Sequence, residues 1–231
     1  MKKIIFAIIL TVFVLGAAGT AMAQEEIPEV EIFGGYSLLK MGASSENILP
    51  FQDELYSGAD RWSANNTSFF LNRGGAGSIA YNANGYFSIV TDVRYNQGDI
   101  IEGTYEFVSP ETQALIQTPF VVGIKNVSAL IGPRLSYRKE QGTAFFHVLT
   151  GLDYWRLSRN FTLAGEKRSE KDDKFGPGIA IGGGLDINVN EKVAVRAIQA
   201  DYYLTRQAER LTSNVNLSFG IVFRIGEKVL R

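Results

Sequence analysis

The sequence predicts an all-β fold: a transmembrane, antiparallel up-and-down β-barrel of eight strands, with short periplasmic turns and long extracellular loops. Three observations lead there. The chain opens with an export signal, strands of alternating polarity recur along the remainder, and the connections between them alternate short and long. Alternation defines two faces on each strand. It does not say which face meets water, because a soluble sandwich and a membrane barrel write the same pattern with opposite meanings.

The leader is "MKKIIFAIILTVFVLGAAGTAMAQ": two lysines, an apolar run from Ile4 to Leu15, and small residues ending Ala21-Met22-Ala23. This is the pattern of a secretory signal peptide with an A-x-A site. Residues 1–23 are expected to be removed, leaving residues 24–231 as one barrel domain. A membrane anchor needs roughly 20 apolar residues, and this run breaks too early into Gly16 and Ala17. The chain has no cysteine, as suits an exported protein of a bacterial envelope. A net charge of −1 offers nothing to nucleic acid. The 24 glycines and 12% aromatic content favour a turn-rich β chain. If such a chain enters a bilayer it must close on itself, since lipid tolerates no unpaired strand edge.

Eight strands are predicted in order. The first is "EVEIFGGYSLLK" (29–40), the second "GGAGSIAYN" (74–82), the third "YFSIVTDVRYN" (86–96) and the fourth "NVSALIGPRLSYR" (126–138). The fifth is "TAFFHVLTGLDY" (143–154), the sixth "GIAIGGGLDINV" (178–189), the seventh "KVAVRAIQADYYL" (192–204), and the last "NVNLSFGIVFRIG" near the C-terminus. "NANG", "KEQG" and "NVNE" join strands two to three, four to five and six to seven as tight turns. The other connections are long: 41–73, 97–125, 155–177 and 205–213. Outer-membrane barrels alternate in this way. With about 208 residues after the leader and about 9–11 per spanning strand, eight strands leave generous loops while sixteen would leave almost none. "GTYEFVS" and "PFVVGIK" in the second long loop would raise the count to ten if they crossed the membrane as a hairpin, and read instead as a hairpin extending above it.

The charges assign the faces. On strand three Phe87, Ile89, Val93 and Tyr95 oppose Asp92 and Arg94; on strand four Val127, Ala129, Ile131, Leu135 and Tyr137 oppose Arg134. Strand five sets Phe146, Val148, Leu152 and Tyr154 against His147 and Asp153, and strand six sets Ile179, Ile181, Leu185 and Ile187 against Asp186. An arginine facing lipid at mid-bilayer costs about 2–4 kcal/mol, so these charges must face inward. The expected lumen network is Glu31, Asp92, Arg94, Arg134, His147, Asp153, Asp186 and Arg196, with the aspartates paired to the arginines. The expected lipid-facing set on the last strand is Val215, Leu217, Phe219, Ile221 and Phe223. Tyr36, Tyr81, Tyr86, Tyr95, Tyr137, Tyr154, Trp155, Tyr202 and Tyr203 are expected in the two interfacial girdles. Strand seven breaks parity: Val193, Val195 and Ala197 point outward opposite Arg196, yet the same parity would put Gln199 and Asp201 in lipid. Either a bulge between Ala197 and Gln199 resets the register, which is the expectation adopted, or Asp201 already lies above the bilayer.

These features together resemble the OmpA-type, eight-stranded outer-membrane β-barrel superfamily. The residues that carry the resemblance are "EIFGGYSLL", the hairpin "GAGSIAYNANGYFSIVTDV", and "VRAIQADYYLT" followed by "NLSFGIVFRIG". The resemblance implies the fold and a bacterial outer-membrane location rather than an activity. Two departures are visible. The candidate terminal aromatic Phe223 is followed by "RIGEKVLR", and no peptidoglycan-binding domain follows the barrel, so a cell-wall tether is not expected.

No catalytic, cofactor or metal site is predicted. His147 is the single histidine, which rules out a two-histidine zinc site. "GPGIAIGGG" lacks a dinucleotide-binding pattern and reads as small lumen side chains. "GEKRSEKDDKFG" reads as a solvated charge run. The expected function is a non-enzymatic, monomeric envelope barrel with a plugged lumen and a structural or surface-interaction role through loops 41–73, 97–125 and 155–177. Its expected partners are outer-membrane lipid, lipopolysaccharide and the barrel-assembly machinery. The rival readings are a barrel enzyme acting on lipid A or peptides, a narrow pore, and a soluble periplasmic carrier.

Overall fold

The computed structural model describes residues 26–42, 61–68, 70–108, 115–163, 166–207 and 210–229. The expected signal peptide, and part of each long connection, lie outside these residues. The strands are β1 (Glu26–Met41), β2 (Arg61–Thr67), β3 (Phe70–Leu71), β4 (Arg73–Asn82) and β5 (Phe87–Val108). They continue with β6 (Leu115–Lys139), β7 (Gly142–Leu163), β8 (Glu166–Asn188), β9 (Val193–Gln207) and β10 (Arg210–Val229).

The sheet closes on itself. Antiparallel pairing runs β1-β4-β5-β6-β7-β8-β9-β10, and β10 returns to β1 from Glu26↔Val229 to Met41↔Asn214. Eight strands therefore form the ring, as the sequence predicts, and a closed ring leaves no edge exposed to lipid. The two short strands are additions at one end: β2 pairs with β5, and β3 pairs with β1 through Leu39↔Leu71.

All three tight turns lie at the opposite end. In the first, Asn84 Oδ1 accepts the backbone N–H groups of Tyr86 (2.9 Å) and Phe87 (2.8 Å). In the third, Asn190 Oδ1 accepts those of Lys192 (2.9 Å) and Val193 (2.8 Å). An asparagine that replaces a lost backbone partner is what makes these connections short.

The distribution of polarity is inverted relative to a water-soluble barrel. One residue on each ring strand illustrates the outside: Ile32, Ile79, Val93, Ile131, Phe146, Ile181, Val195 and Ile221 are 37–55% exposed. Asp92, Arg94, Asn126, Arg134, Asp186, Arg196 and Asn216 are at most 3% exposed. An apolar belt around the whole ring is far larger than a soluble monomer exposes, and a charged interior places the low-dielectric solvent outside. This is a membrane-spanning barrel.

Three sequence expectations need correction. Residues 97–125 and 155–177 are largely strand rather than loop: β5 and β6 stay paired out to Val108↔Leu115, and β7 and β8 out to Leu163↔Glu166. The "GTYEFVS"/"PFVVGIK" hairpin expected within the first of these connections is present, as the outer part of a longer β5–β6 ribbon. In the second ribbon the charge run lies opposite two arginines. Arg156 faces Asp173 with hydrogen bonds of 2.7 and 2.9 Å, and Arg159 faces Glu170 at 3.2 Å. The third correction concerns the girdles: Trp155 and Tyr203, 6% and 1% exposed, point inward.

Between the ribbons sits an apolar cluster of Leu39, Met41, Leu71, Ile100, Phe120, Val122, Ile124 and Trp155, with Leu157 and Phe161 packed against it. The barrel is thus capped at its ribbon end by an ordinary hydrophobic core. The β9 register shifts between Arg196 and Gln199 against both neighbours. Arg196, Gln199, Asp201 and Tyr203 all point inward as a result, while Val195, Ile198 and Tyr202 stay outside.

Candidate functional site in the barrel interior

The polar interior is stacked in layers along the barrel. At the turn end Glu31 on β1 meets three arginines. Arg134 bonds its Oε2, Arg138 lies 3.2 Å from its Oε1, and Arg224 Nε lies 4.0 Å from the same oxygen. Asn82 Oδ1 accepts from Arg138 (3.0 Å) and Ser88 (2.5 Å), and Asn82 Nδ2 donates to the Pro28 carbonyl at 2.7 Å. Arg224 also donates to Asn188 Oδ1 at 2.8 Å.

The middle layer is a continuous chain of charge-assisted bonds. Arg196 grips Asp186 with two contacts, 2.8 and 3.1 Å, and donates to Gln199 at 2.7 Å. Its guanidinium lies 4.3 Å from the Phe33 ring centre and 4.5 Å from that of Phe145. Gln199 donates to Asp201 at 2.9 Å, and Asp201 also meets His147 Nε2 at 2.7 Å and Arg94 at 2.6 Å. Arg94 then reaches Asp92 at 2.5 Å and Asn216 at 3.2 Å. Gly182 and Gly184 make room for this layer. A Cβ on Gly182 would sit 2.2 Å from Asp201 Oδ1, and one on Gly184 would sit 2.6 Å from the Phe145 ring. That is the physical reason for the small residues in "GPGIAIGGG".

Above it, Asp153 accepts from Asn126 Nδ2 at 2.5 Å and from the Trp155 indole N–H. The expected pairing of Asp153 with an arginine is not found among the described residues; neutral donors hold it instead. Arg134 likewise pairs with Glu31 rather than with an aspartate. The structure brings Asp92, Arg94 and His147 into one network and Asp186 and Arg196 into the same chain, while Glu31 and Arg134 form the separate turn-end cluster.

Sequence reasoning omitted Asp201, Arg138 and Arg224 from the network. A signal existed for each. Arg138 shares parity with Arg134, Arg224 shares it with Ser218 and Val222, and Asp201 was the residue that the strand-seven bulge had to bring inside. On β10, Val215, Leu217, Phe219, Ile221 and Phe223 are outward at 37–51% exposure.

His147 is 2% exposed, and its Nε2 is taken up by Asp201 at 2.7 Å within the lumen network. Among the described residues no group of three or more His, Cys, Asp or Glu side chains could hold a metal ion.

No family model and no curated protein matches the chain. Solved structures do. The chain is similar to Ail, the attachment invasion locus protein of Yersinia pestis, at 15% identity and a TM-score of 0.43, covering 87% of this chain and 100% of that one. It is similar to Neisserial surface protein A at 11% identity and a TM-score of 0.41, again over 87% and 100%. The outer membrane protein OprG from Pseudomonas aeruginosa follows at 8% identity and a TM-score of 0.42, over 87% and 98%. The assignment of a closed barrel rests on the β10–β1 pairing in this chain.

Proposed function

We propose that the protein is an integral barrel of the bacterial outer membrane that conducts no ions and displays its β-ribbons outside the cell for surface contact. One observation carries the reading: the inside of the ring is filled by paired charges and closed by an apolar core, while the outside is an apolar belt. With the tight turns on the periplasmic side, the β5–β6 and β7–β8 ribbons project outward and enlarge the exposed sheet. Val215, Leu217, Phe219, Ile221 and Phe223 then face lipid. The role is structural or adhesive rather than enzymatic, and the buried position of His147 supports that choice.

Lipopolysaccharide is the partner the outer surface fits. Arg73, Lys125 and Arg156 lie along one register row through Gln97 on β5, just beyond Tyr95 and Tyr154; Asp99 and Asp173 pair with the two arginines, and Lys125 stands between them. Lys40 and Arg206 are exposed near the same edge of the belt. Cations at that height meet lipid phosphates. The barrel-assembly machinery would insert the chain.

Planar-bilayer recording tests the central point. The purified protein is expected to leave the bilayer non-conducting; stable openings on the nanosiemens scale would instead support a pore. Binding of whole cells to coated host or abiotic surfaces, compared with a variant lacking residues 103–120, tests the adhesive role.

A further inference from the structure

The buried charges are unevenly placed along the barrel. At the turn end three guanidinium groups, Arg134, Arg138 and Arg224, face one carboxylate, Glu31. Three positive charges against one negative leave an excess of two among the described residues. In the middle layer the balance reverses, since Arg94 and Arg196 meet Asp92, Asp186 and Asp201. A low-dielectric wall strengthens such an imbalance, and an uncompensated buried charge is costly.

A second observation points the same way. The Nε–H groups of Arg134, Arg138 and Arg224 are all buried without a hydrogen-bond acceptor. Three orphaned donors within one layer, each on a cation, ask for an anionic acceptor. The cluster is also reachable from one side: the side chains of Arg138 and Arg224 keep 11% and 9% exposure, against 3% for Arg134 behind them. The rim outside is mixed, with Glu29, Glu140, Glu191 and Glu227 against Lys139 and Lys192, all exposed and therefore screened by water.

We infer that the periplasmic mouth of the barrel is a binding site for a phosphate-type oxyanion, held by Arg138 and Arg224 with Arg134 behind them. A tetrahedral oxyanion offers several acceptors at once, and forked guanidinium groups suit it. The source is either free phosphate or a lipid headgroup. The periplasmic placement rests on the barrel reading above; the site itself rests on the arginine geometry.

The test uses the full mature barrel in phosphate-free maltoside detergent, with thermal unfolding followed by the gel mobility of unheated and heated samples. Sodium phosphate is compared with sodium methanesulfonate at matched ionic strength, and short-chain phosphatidic acid is added in a separate arm. Phosphate or phosphatidic acid is expected to raise the unfolding midpoint in proportion to the logarithm of its concentration, and whichever acts identifies the source. Arg138→Gln and Arg224→Gln are expected to shrink the shift, and Glu31→Gln, which removes the competing carboxylate, to enlarge it. A midpoint that neither ligand raises overturns the site, as does a shift that persists undiminished in the arginine variants. If those variants do not fold, an unchanged phosphate response in Glu31→Gln overturns it. Loss of heat-dependent mobility in the wild-type protein would remove the barrel reading as well, whereas normal mobility without a phosphate response removes the anion site alone.

Discussion

Asp201 shows how much rests on a single carboxylate. It joins Arg94, His147 and Gln199, so it links the β5, β7 and β9 side chains across the lumen. Removing one partner of a buried ion pair leaves the other uncompensated, at a cost of about 3–5 kcal/mol. Asp201→Ala is expected to lower barrel stability by about that amount in urea titrations followed by tryptophan fluorescence. Asp153→Asn is expected to cost less, because its partners Asn126 and Trp155 are neutral and strand no charge. Inward parity was legible for both residues once the strand bulge was allowed. Their partners were not, since a partner across the lumen depends on strand stagger that no local pattern encodes.

At the scale of elements, β9 and the β7–β8 ribbon each depend on register. The extra residue at Ala197–Ile198 keeps Arg196 and Asp201 on the same side of β9. Deleting Ala197 removes the extra residue and restores strict alternation with Arg196, Gln199 and Asp201 all still facing inward. That variant is expected to keep its heat-modifiable mobility, as is Ala197→Val, which leaves the bulge in place; a deletion variant that lost it would show that the bulge itself is needed. In the ribbon, hydrogen bonding to Arg156 holds the Asp173 carboxyl below its usual range. A carboxylate with a lowered folded pKa stabilises above its unfolded value, about 3.9, and that contribution vanishes as pH falls through the folded value. Amide protection in residues 156–163 and 166–173 is therefore expected to be constant above about pH 4 and to fall only in stronger acid. The pair is exposed, so the change should be small and local. The charge run read as loop in the sequence because its pairing partners, Arg156 and Arg159, precede it by up to 17 residues and lie opposite it only after the hairpin forms.

The molecule as a whole separates three environments: a lipid belt, a polar lumen and an apolar core between the ribbons. Ile221 lies between Gly34 and Val195 in mid-belt, 46% exposed. Ile221→Arg is expected to destabilise the barrel in bilayers by about 2–4 kcal/mol, and by much less at Ile225 near the turn end, as measured by reversible unfolding from lipid vesicles.

Local alternation, turn residues and mid-strand charges were enough to determine the eight spanning strands, their faces and the inward position of eight lumen residues. Those signals repeat every two residues, so they survive in a linear reading. Only the closed sheet decided that, among the described residues, Glu31 meets three arginines and Asp153 meets none, and that Trp155 and Tyr203 belong to the interior. The physical reason is stagger. Closing a barrel tilts its strands and offsets their registers, and the contacts across the lumen come from that offset, not from any stretch of sequence.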